Sequence, residues 1–329
     1  MLHRTTQSER FSGSNRGSFA LIAGLVVTAS LAVYQDDWGR VMQGGSLTSL
    51  PQGEGRAPMG VRDLTERDLQ AAVTAWTYFE SYYRPETGLV DAIQEHPSAT
   101  LWDQGSYVLA LVSAHGLGVI DITTLTYRTE AFLGGLERLP LFDGKLPNKA
   151  YDTRDLRMVD YANTPTPDGI GWSALDVARL LMALRVLEMQ YPQFGPRIRS
   201  IVTGWELSEM TAEGRLWGSS RKNGETRYHQ EGRIGYEQYA ARAAALWGLD
   251  VLDASTARPV MAWRDVSDVE VPVDRRRAKD FGAITPVVSE PYLLQAFEMG
   301  LNAEGRLLAD RLYQAQEARA RQSGRATMC

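Results

Sequence analysis

Helix-length segments with apolar residues three or four positions apart follow one another from residue 64 almost to the end of the chain. This spacing places apolar side chains on one face of an α-helix. Leu64, Thr65 and Asp68 open the first segment with the pattern of a capping box and a hydrophobic staple. The expected helices cover residues 65–84, 101–115, 122–138, 173–191, 194–209, 234–248, 290–300 and 303–322.

Strand patterns are few. The dipeptide Asn223-Gly224 separates two short β-type runs, 216–217 and 226–228, and therefore predicts a hairpin. Alternating valines between residues 269 and 273 predict one more short extended segment.

The loops between the expected helices are long and rich in aromatic residues, glycine and proline. Segment 142–172 has more than thirty residues without a convincing helix, which a compact domain rarely holds unless the loop is functional. Mostly antiparallel helices with such loops indicate a mainly α fold, an α/α toroid with a small β-hairpin.

Charge and metal-ligand spacing exclude several function classes. The net charge is −5 and the pI about 5.5, so no nucleic-acid partner is expected. The four histidines are scattered and the one cysteine is the last residue, so no zinc spacing exists. We expect neither a metal nor an organic cofactor.

The N-terminus has the pattern of an export signal. Arg4, Arg10 and Arg16 precede a weakly polar to apolar run from Phe19 to Tyr34. As a helix, this run spans about 24 Å, which is short of the ~30 Å hydrocarbon core of a membrane. A cleaved signal peptide is therefore expected, with a membrane anchor as the alternative.

Both a signal peptide and a membrane anchor at this position predict export of the rest of the chain, and therefore a periplasmic or other extracytoplasmic location. The expected organisation is a signal peptide or anchor at 1–32, a flexible linker at 33–63, a single α/α toroid domain at 64–322 and a disordered tail at 323–329.

The stretch 228–241 holds the strongest candidates for chemistry. Glu231 follows the expected hairpin, lies outside any expected helix and is surrounded by aromatic residues, which suits a catalytic acid in a cleft. A structural salt bridge to Arg233 is the simpler alternative. Glu237 is a second catalytic candidate, although the first turn of a helix also favours a carboxylate.

Further catalytic candidates lie in the long loop. Asp152 and Asp160 have no expected helix to cap, so each is either a catalytic partner of Glu231 or a solvated turn-forming acid.

Substrate-binding candidates lie at the other junctions between loops and helices. Asp103 and Asp176 each end an S/T-x-x-D pattern, which capping alone explains, but tryptophans nearby could stack on sugar rings. The full set of substrate-binding candidates is Trp102, Asp103, Trp172, Asp176, Tyr228, Arg233, Tyr236 and Glu290. Core packing is the simpler explanation for each tryptophan taken singly, and a helix start is the simpler explanation for Glu290.

Five stretches together resemble a bacterial envelope family known as domain of unknown function 3131. They are Trp102–Gly105, Leu146–Asp152, Gly171–Asp176, Glu231–Ala241 and Ser289–Tyr292. The resemblance covers about residues 64–322, and 231–241 is its most specific part. The family is more distantly similar to (α/α)6 glycoside hydrolases, including those acting on β-1,2-glucans. The resemblance implies a toroid and a carbohydrate-related function, and it supplies no catalytic residues.

The chain departs from this family at its end. Members generally continue beyond the part that matches residues 314–317, whereas this chain stops at Cys329. A closed toroid of six helix pairs also needs more helices than the eight expected here. Either short helices escape the pattern or the toroid is incomplete at its C-terminus, and the second interpretation is favoured.

The expected function is that of an exported glycoside hydrolase of an envelope or periplasmic glucan. Glu231 would be the general acid, and Asp152, Asp160 or Glu237 the base or nucleophile. A non-catalytic glycan-binding or envelope-assembly protein is the alternative, and a polysaccharide lyase or epimerase the third. The expected partner is an oligo- or polysaccharide, with association of the N-terminus with a membrane if it is an anchor. The oligomeric state is left open.

Overall fold

The computed structural model describes residues 62–277 and 287–324, and within these ranges helices occur at all eight expected positions. They are α1 (Glu66–Ser81), α2 (Leu101–Gly116), α3 (Ile122–Arg138), α4 (Ala174–Gln190), α5 (Gly195–Thr203), α6 (Tyr236–Ala245), α7 (Glu290–Glu298) and α8 (Ala303–Ser323). Helix α5 ends earlier than expected, because the chain turns at Gly204 and forms a separate 3-10 helix at Leu207–Met210.

Local side-chain chemistry explains where several helices begin. Thr65 and Asp68 form the reciprocal hydrogen bonds of a capping box at α1, and Thr100 and Asp103 do so at α2. Asp121 caps α3 through a hydrogen bond from the Thr124 amide of 2.7 Å.

The strands are short and antiparallel. They are β1 (Ser98–Ala99), β2 (Leu141–Phe142), β3 (Leu146–Pro147), β4 (Tyr151–Asp152), β5 (Thr211–Ala212), β6 (Arg215–Lys222), β7 (Glu225–Gln230), β8 (Met261–Val266) and β9 (Val269–Asp274). The expected hairpin is β6–β7, which turns at Asn223 and Gly224 with φ of +53° and +78°. The valine-rich segment is β9, and its partner β8 was not expected.

The helices pack in two layers. Helix α4 packs between α2 and α6, while α1 and α3 pack against α2, and α5 packs against α3 and α4. Leu180, Leu184 and Leu187 of α4 are fully buried in the main core, as their spacing predicts. Alternation of inner helices with helices that pack outside them is the arrangement of an α/α toroid.

The small residues of α6 allow close packing. Ala240, Ala241, Ala243 and Ala244 are all completely buried, and this helix contacts α4, α7 and strand β6. Helix α7 packs against α6, and α8 packs against α7. Helix α8 also packs on β9 around a second apolar cluster.

Several helices start at one face of the molecule. The ring of Trp102 in α2 contacts Tyr236 at the start of α6, with 5.7 Å between ring centroids. The hydroxyl of Tyr236 donates to the carboxylate of Glu290 at the start of α7. Glu231, which precedes α6, accepts from the first amide of α4, that of Ala174. These contacts bring the N-terminal ends of four helices together.

The described residues include no helix that combines the length and the apolar character needed to cross a membrane. The expected signal or anchor, residues 33–61 of the expected linker and residues 325–329 of the expected tail lie outside the described residues.

Candidate functional site

Glu231 meets the start of helix α4. Its backbone amide donates to Leu216 in a hydrogen bond of 2.9 Å, which extends the hairpin by one residue. Its Oε1 accepts from Ser173 Oγ at 2.8 Å, and its Oε2 accepts from the Ala174 amide at 2.6 Å. The positive end of the helix dipole and both donors stabilise the ionised carboxylate. Burial acts in the opposite direction and raises the pKa of Glu231.

A glycine makes room for this carboxylate. Gly218 lies on β6 directly opposite His229 of β7. A Cβ atom at Gly218 would lie 2.3 Å from Glu231 Oε2, closer than any van der Waals contact allows. Any other residue at 218 would therefore displace Glu231.

Asp176 is the second carboxyl of the site. Its amide donates to Ser173 Oγ at 3.2 Å, as in a capping box, but the reciprocal bond, in which the Ser173 amide would donate to the Asp176 carboxyl, is not formed. The carboxyl is thus not used in the way that Asp68 and Asp103 are used. Burial, and then the charge of Glu231, raise the pKa of Asp176 to about 8.

Desolvation and the charge of Glu231 both disfavour ionisation of Asp176, and a pKa of about 8 keeps this carboxyl mainly protonated at neutral pH. Glu231 has a backbone amide and a hydroxyl donating to its two oxygens, which favours the charged form there. The proton therefore resides mainly on Asp176. A proton donor next to a carboxylate is the arrangement of acid/base catalysis.

Lys149 and Tyr161 of the long loop accompany this pair. Burial lowers the pKa of Lys149, and the charges of Glu231 and Asp176 oppose that shift. Desolvation, and then the charges of Asp176 and Glu231, raise the pKa of Tyr161 to about 12. The side chain of Tyr161 nevertheless remains 64% exposed. The ring of Tyr161 therefore lies near both acids and is open to solvent.

His229 is the third side chain beside the two carboxyls. It lies two residues before Glu231 along β7, so both side chains project from the same face of the hairpin. Its Nε2 would be 3.2 Å from a Cβ at Gly218, which places it beside Glu231. Burial, and then the charge of Lys149, lower its pKa, so the imidazole is neutral at pH 7.

Within the described ranges, the side chains of Lys149, Tyr161 and His229 have no hydrogen-bond or ion-pair partner in the protein. Lys149 and His229 are half-buried and Tyr161 is exposed, so all three side chains are available to contact a ligand. Their position beside two carboxyls, one of which has a strongly raised pKa, identifies this as the candidate site.

Neither loop acid joins the pair. Asp152 is buried on β4, where Arg154 Nη2 lies 2.6 Å from its Oδ2. Burial would raise its pKa, but the hydrogen bonds from Arg154 outweigh this effect and lower it. Asp160 accepts from the amides of Ala162 and Thr164, both at 2.9 Å, and shapes the turn that carries Tyr161.

Glu237 is also remote from solvent. It lies in the first turn of α6 with no exposed surface, and its carboxylate contacts Arg276 at 2.7 Å and Arg215 at 3.3 Å. These ion pairs join α6 to β6 and to the chain after β9. Arg233 lies between Glu231 and α6, and its Nη1 is buried without a hydrogen-bond partner among the described residues.

The aromatic candidates separate into two groups. Trp172 is fully buried against Phe142, and its indole nitrogen donates to the Trp217 carbonyl, so it belongs to the core and has no surface for a ligand. Tyr228 is exposed, but it projects from the face of β7 opposite to His229 and Glu231.

Trp102 and Tyr236 are half-buried beside Glu290 at the face where the helices start. Asp103 stays in its capping box, and its charge contributes to the raised pKa of Asp176.

Sequence reasoning missed three residues of the site. The position of His229 directly after an expected strand, two residues before Glu231, was a usable signal. Lys149 and Tyr161 had no signal beyond their place in a long loop, because a loop has no periodicity from which side-chain direction can be read.

Solved structures similar to this chain include a glucoamylase-like protein from Bacteroides uniformis, with a TM-score of 0.57 and 12% identity over 80% of this chain and 68% of that one. An endo-β-1,2-glucanase from Chitinophaga pinensis has a TM-score of 0.48 and 12% identity over 64% and 55% of the two chains. A glucoamylase-like protein from Bacteroides fragilis has a TM-score of 0.46 and 14% identity over 65% and 56%. At such identities the likeness to the first of these shows the fold alone.

This chain spans a little more than half the length of the Bacteroides fragilis protein and of a similar one from Bacteroides caccae. No curated protein matches it. A family model described as "Protein of unknown function (DUF3131)" matches residues 70–329. The chain therefore belongs to the DUF3131 family, and its fold is an α/α toroid of the kind found in glucoamylase-like proteins.

Proposed function

We propose that the protein is a glycoside hydrolase that acts on a glucan. The observation that carries the proposal is the Asp176–Glu231 pair, in which one carboxyl is protonated at neutral pH and the other is stabilised as a carboxylate. The glucoamylase-like protein from Bacteroides uniformis supports the substrate class, because it is built on the same fold. An exposed aromatic ring beside the acids also suits a sugar.

In the proposed reaction, Asp176 gives its proton to the glycosidic oxygen as the bond between that oxygen and the anomeric carbon breaks. Glu231 either takes a proton from the water that attacks the anomeric carbon or attacks that carbon itself. In the second case, water that gives a proton to the deprotonated Asp176 then attacks the anomeric carbon and breaks its bond to Glu231. The roles are the reverse of those expected from the sequence, in which Glu231 was the acid. The reason is that donors at the start of α4 stabilise the ionised form of Glu231.

Purified protein assayed for reducing ends on β-1,2-glucan, other β-glucans and α-1,4-glucan tests this proposal. We expect Asp176→Asn and Glu231→Gln each to lower the rate by about 100-fold or more, because each removes one half of the acid/base pair. Asp121→Asn is the matched control, since Asp121 caps the outer helix α3 and faces no site. Full activity of either site variant would remove that residue from its role.

A non-catalytic glycan-binding protein is the second candidate, and one observation favours it. Both oxygens of Glu231 already accept hydrogen bonds from α4, so Glu231 could serve only to hold the hairpin against the helix. This candidate predicts saturable binding of a glucan without release of reducing ends, and Asp176→Asn would then leave the affinity unchanged.

We further propose that the protein acts outside the cytoplasm, on an envelope or periplasmic glucan. The positively charged leader and the apolar run before residue 35 support export. A phosphatase that is active only outside the cytoplasm, fused after residue 63, should be active. Inactivity of a well-expressed fusion would contradict export.

A further inference from the structure

Trp102, Tyr236 and Glu290 form a connected surface beside the acid pair, which we call the Trp102 platform. The indole of Trp102 and the ring of Tyr236 meet edge to face at 5.7 Å. The Tyr236 hydroxyl donates to one carboxylate oxygen of Glu290. The platform therefore joins the starts of α2, α6 and α7.

Buried groups hold the indole of Trp102 in one orientation. The guanidinium of Arg179 lies over its ring, 4.7 Å from the centroid, and only 5% of the Arg179 side chain is exposed. Glu298 contacts Arg179 at 2.9 Å, and the Tyr239 hydroxyl and Ser106 Oγ accept further hydrogen bonds from it. A ligand that binds to Trp102 therefore does not need to order it, which preserves affinity.

The chemistry of the platform suits a sugar ring. Tryptophan and tyrosine offer rigid apolar faces at a small cost in conformational entropy. Glu290 is exposed, and among the described residues its second carboxylate oxygen has no hydrogen-bond or ion-pair partner. A free carboxylate oxygen at the edge of an aromatic surface accepts hydrogen bonds from neighbouring hydroxyl groups, which a sugar presents around an apolar face.

The position of the platform relates it to the proposed reaction. Arg179 follows Asp176 by three residues on α4, so the two side chains lie on the same side of the helix, about one 5.4 Å turn apart. Trp102 covers Arg179 and directly precedes Asp103, whose charge reaches Asp176. The platform is thus a neighbour of the acid pair and is separate from it.

We propose that the Trp102 platform is a sugar-binding subsite next to the scissile bond, and that the substrate is accordingly a chain of several sugar units. This inference rests on the proposed function for the identity of the neighbouring site. A subsite next to the acids stabilises only substrates that are long enough to reach it, so its contribution depends on chain length.

The test uses the full chain carrying Asp176→Asn, so that bound oligosaccharides are not cleaved. Calorimetric titration with linear β-1,2- and α-1,4-linked glucose oligosaccharides of roughly two to seven units gives affinity against length. We expect affinity to rise with length and Trp102→Ala to lower it about tenfold for the longer chains, with the shortest bound chain unaffected. Glu290→Gln should cause a loss of about threefold, because it keeps the shape and removes the charge.

Two further variants make the result interpretable. Trp102→Phe retains an aromatic ring against Arg179 and should bind between the parent and Trp102→Ala, which separates a binding effect from misfolding. Tyr127→Ala removes an exposed aromatic residue from helix α3, away from the platform, and should bind like the parent.

An equal loss at all lengths, no loss at any length, or no binding of any oligosaccharide would overturn the subsite. Hydrolysis by the wild-type protein decides the proposed function separately. Length-dependent loss without any hydrolysis by the wild type would reject the hydrolase and keep the subsite. If hydrolysis depended on Asp176 and the effect of Trp102→Ala on affinity were the same at all chain lengths, the hydrolase would be kept and the subsite rejected.

Discussion

At the scale of single residues, the site depends on how one carboxyl comes to hold a proton at neutral pH. Asp176 is crowded by protein and lies near a second carboxyl, so its ionised form is disfavoured. Glu231 is equally crowded, but it is ionised more readily because an amide and a hydroxyl donate to it. Both side chains carry a carboxyl group, so the difference in how readily they ionise arises from the two hydrogen bonds to Glu231.

The pH dependence of activity follows from the pKa of Asp176, which is raised to about 8. A general acid acts only while it is protonated, so we expect kcat/KM to fall as the pH rises through about 8. A pH–rate profile of the wild type checks this. The basic limb should move when Asp176 is replaced by Glu, and it should stay in place in Asp121→Asn. A profile that is flat to well above this pH would contradict the assignment.

The same pKa has a consequence for stability. In the unfolded chain Asp176 titrates at its ordinary pKa of 3.8, far below its pKa in the folded protein. The stability that the protonated carboxyl contributes is complete below about pH 4 and is lost as the pH rises through about 8. Asp176→Asn does not titrate, so its melting temperature relative to wild type should increase between about pH 5 and about pH 9. An unchanged difference across this range would show that Asp176 has an ordinary pKa.

Gly218 provides a test that leaves both acids in place. The added methyl group of Gly218→Ala would lie 2.3 Å from Glu231 Oε2, so the carboxylate must move away from Ser173 and Ala174. We expect a loss of activity of about tenfold or more with the fold retained. Circular dichroism and a glucan assay measure the two effects.

Gly116→Ala is the matched control for this substitution. Gly116 ends α2, and a Cβ atom there would have no neighbour within 4 Å. If Gly218→Ala kept full activity, the position of Glu231 would not matter for the reaction.

At the scale of secondary-structure elements, the site is assembled where the hairpin β6–β7 meets α4. The hairpin carries His229 and Glu231 on one face, and the start of α4 supplies the donors for Glu231 together with Asp176. The long loop from 142 to 172 adds Lys149 and Tyr161. Gly171, with φ of +115°, lets this loop approach β6 closely, because a Cβ atom there would lie 2.3 Å from the Ser219 carbonyl oxygen.

The ion pairs of Glu237 connect α6 to β6 and to the chain after β9, and so stabilise this arrangement. Removing its carboxylate in Glu237→Ala leaves Arg215 without this buried counter-charge and Arg276 with Asp274 as its remaining carboxylate partner, so the free energy of unfolding should fall by about 3 kcal/mol. Chemical denaturation measures this value. Glu237→Gln retains the side-chain volume and some hydrogen bonds, so its free energy of unfolding should fall by less than that of Glu237→Ala. Loss of activity with unchanged stability in Glu237→Ala would instead indicate a direct role in the reaction.

At the scale of the whole molecule, the toroid begins at α1 with interactions of its own. Thr65 and Asp68 form the capping box there, and Arg62 contacts the Asp68 carboxylate at 2.6 Å. The pKa of Asp68 is lowered mainly by its hydrogen bond with Arg62. Contacts among residues 62–68 thus stabilise the start of α1.

A shortened protein that begins at residue 62 should therefore fold. We expect its thermal unfolding to remain one cooperative transition with a melting temperature close to that of the full chain, because α1 keeps its cap. Scanning calorimetry of both proteins decides this. A large decrease in the melting temperature would mean that residues before 62 belong to the folded domain.

The helices and the hairpin could be predicted from the sequence because the signals that specify them are local. Leu180, Leu184 and Leu187 define the buried face of α4 by their spacing alone, and Asn223-Gly224 defines the hairpin turn. Strand β8 was not predicted because Met261–Val266 lacks regular alternation. Trp172 was a substrate-binding candidate although core packing was its simpler explanation, and the structure shows that it is buried.

The sequence by itself determined the eight helices, the hairpin, the family and Glu231 as a residue worth testing. Only the tertiary structure decided its partner, because the contact between Glu231 and the start of α4 joins residues 57 positions apart. Asp176 has the same local pattern as Asp103, yet Asp103 completes its capping box and Asp176 does not. The difference lies in Glu231, which the hairpin places against Ser173 and Ala174. A pattern within one segment cannot predict which charged group from a distant segment will lie beside it.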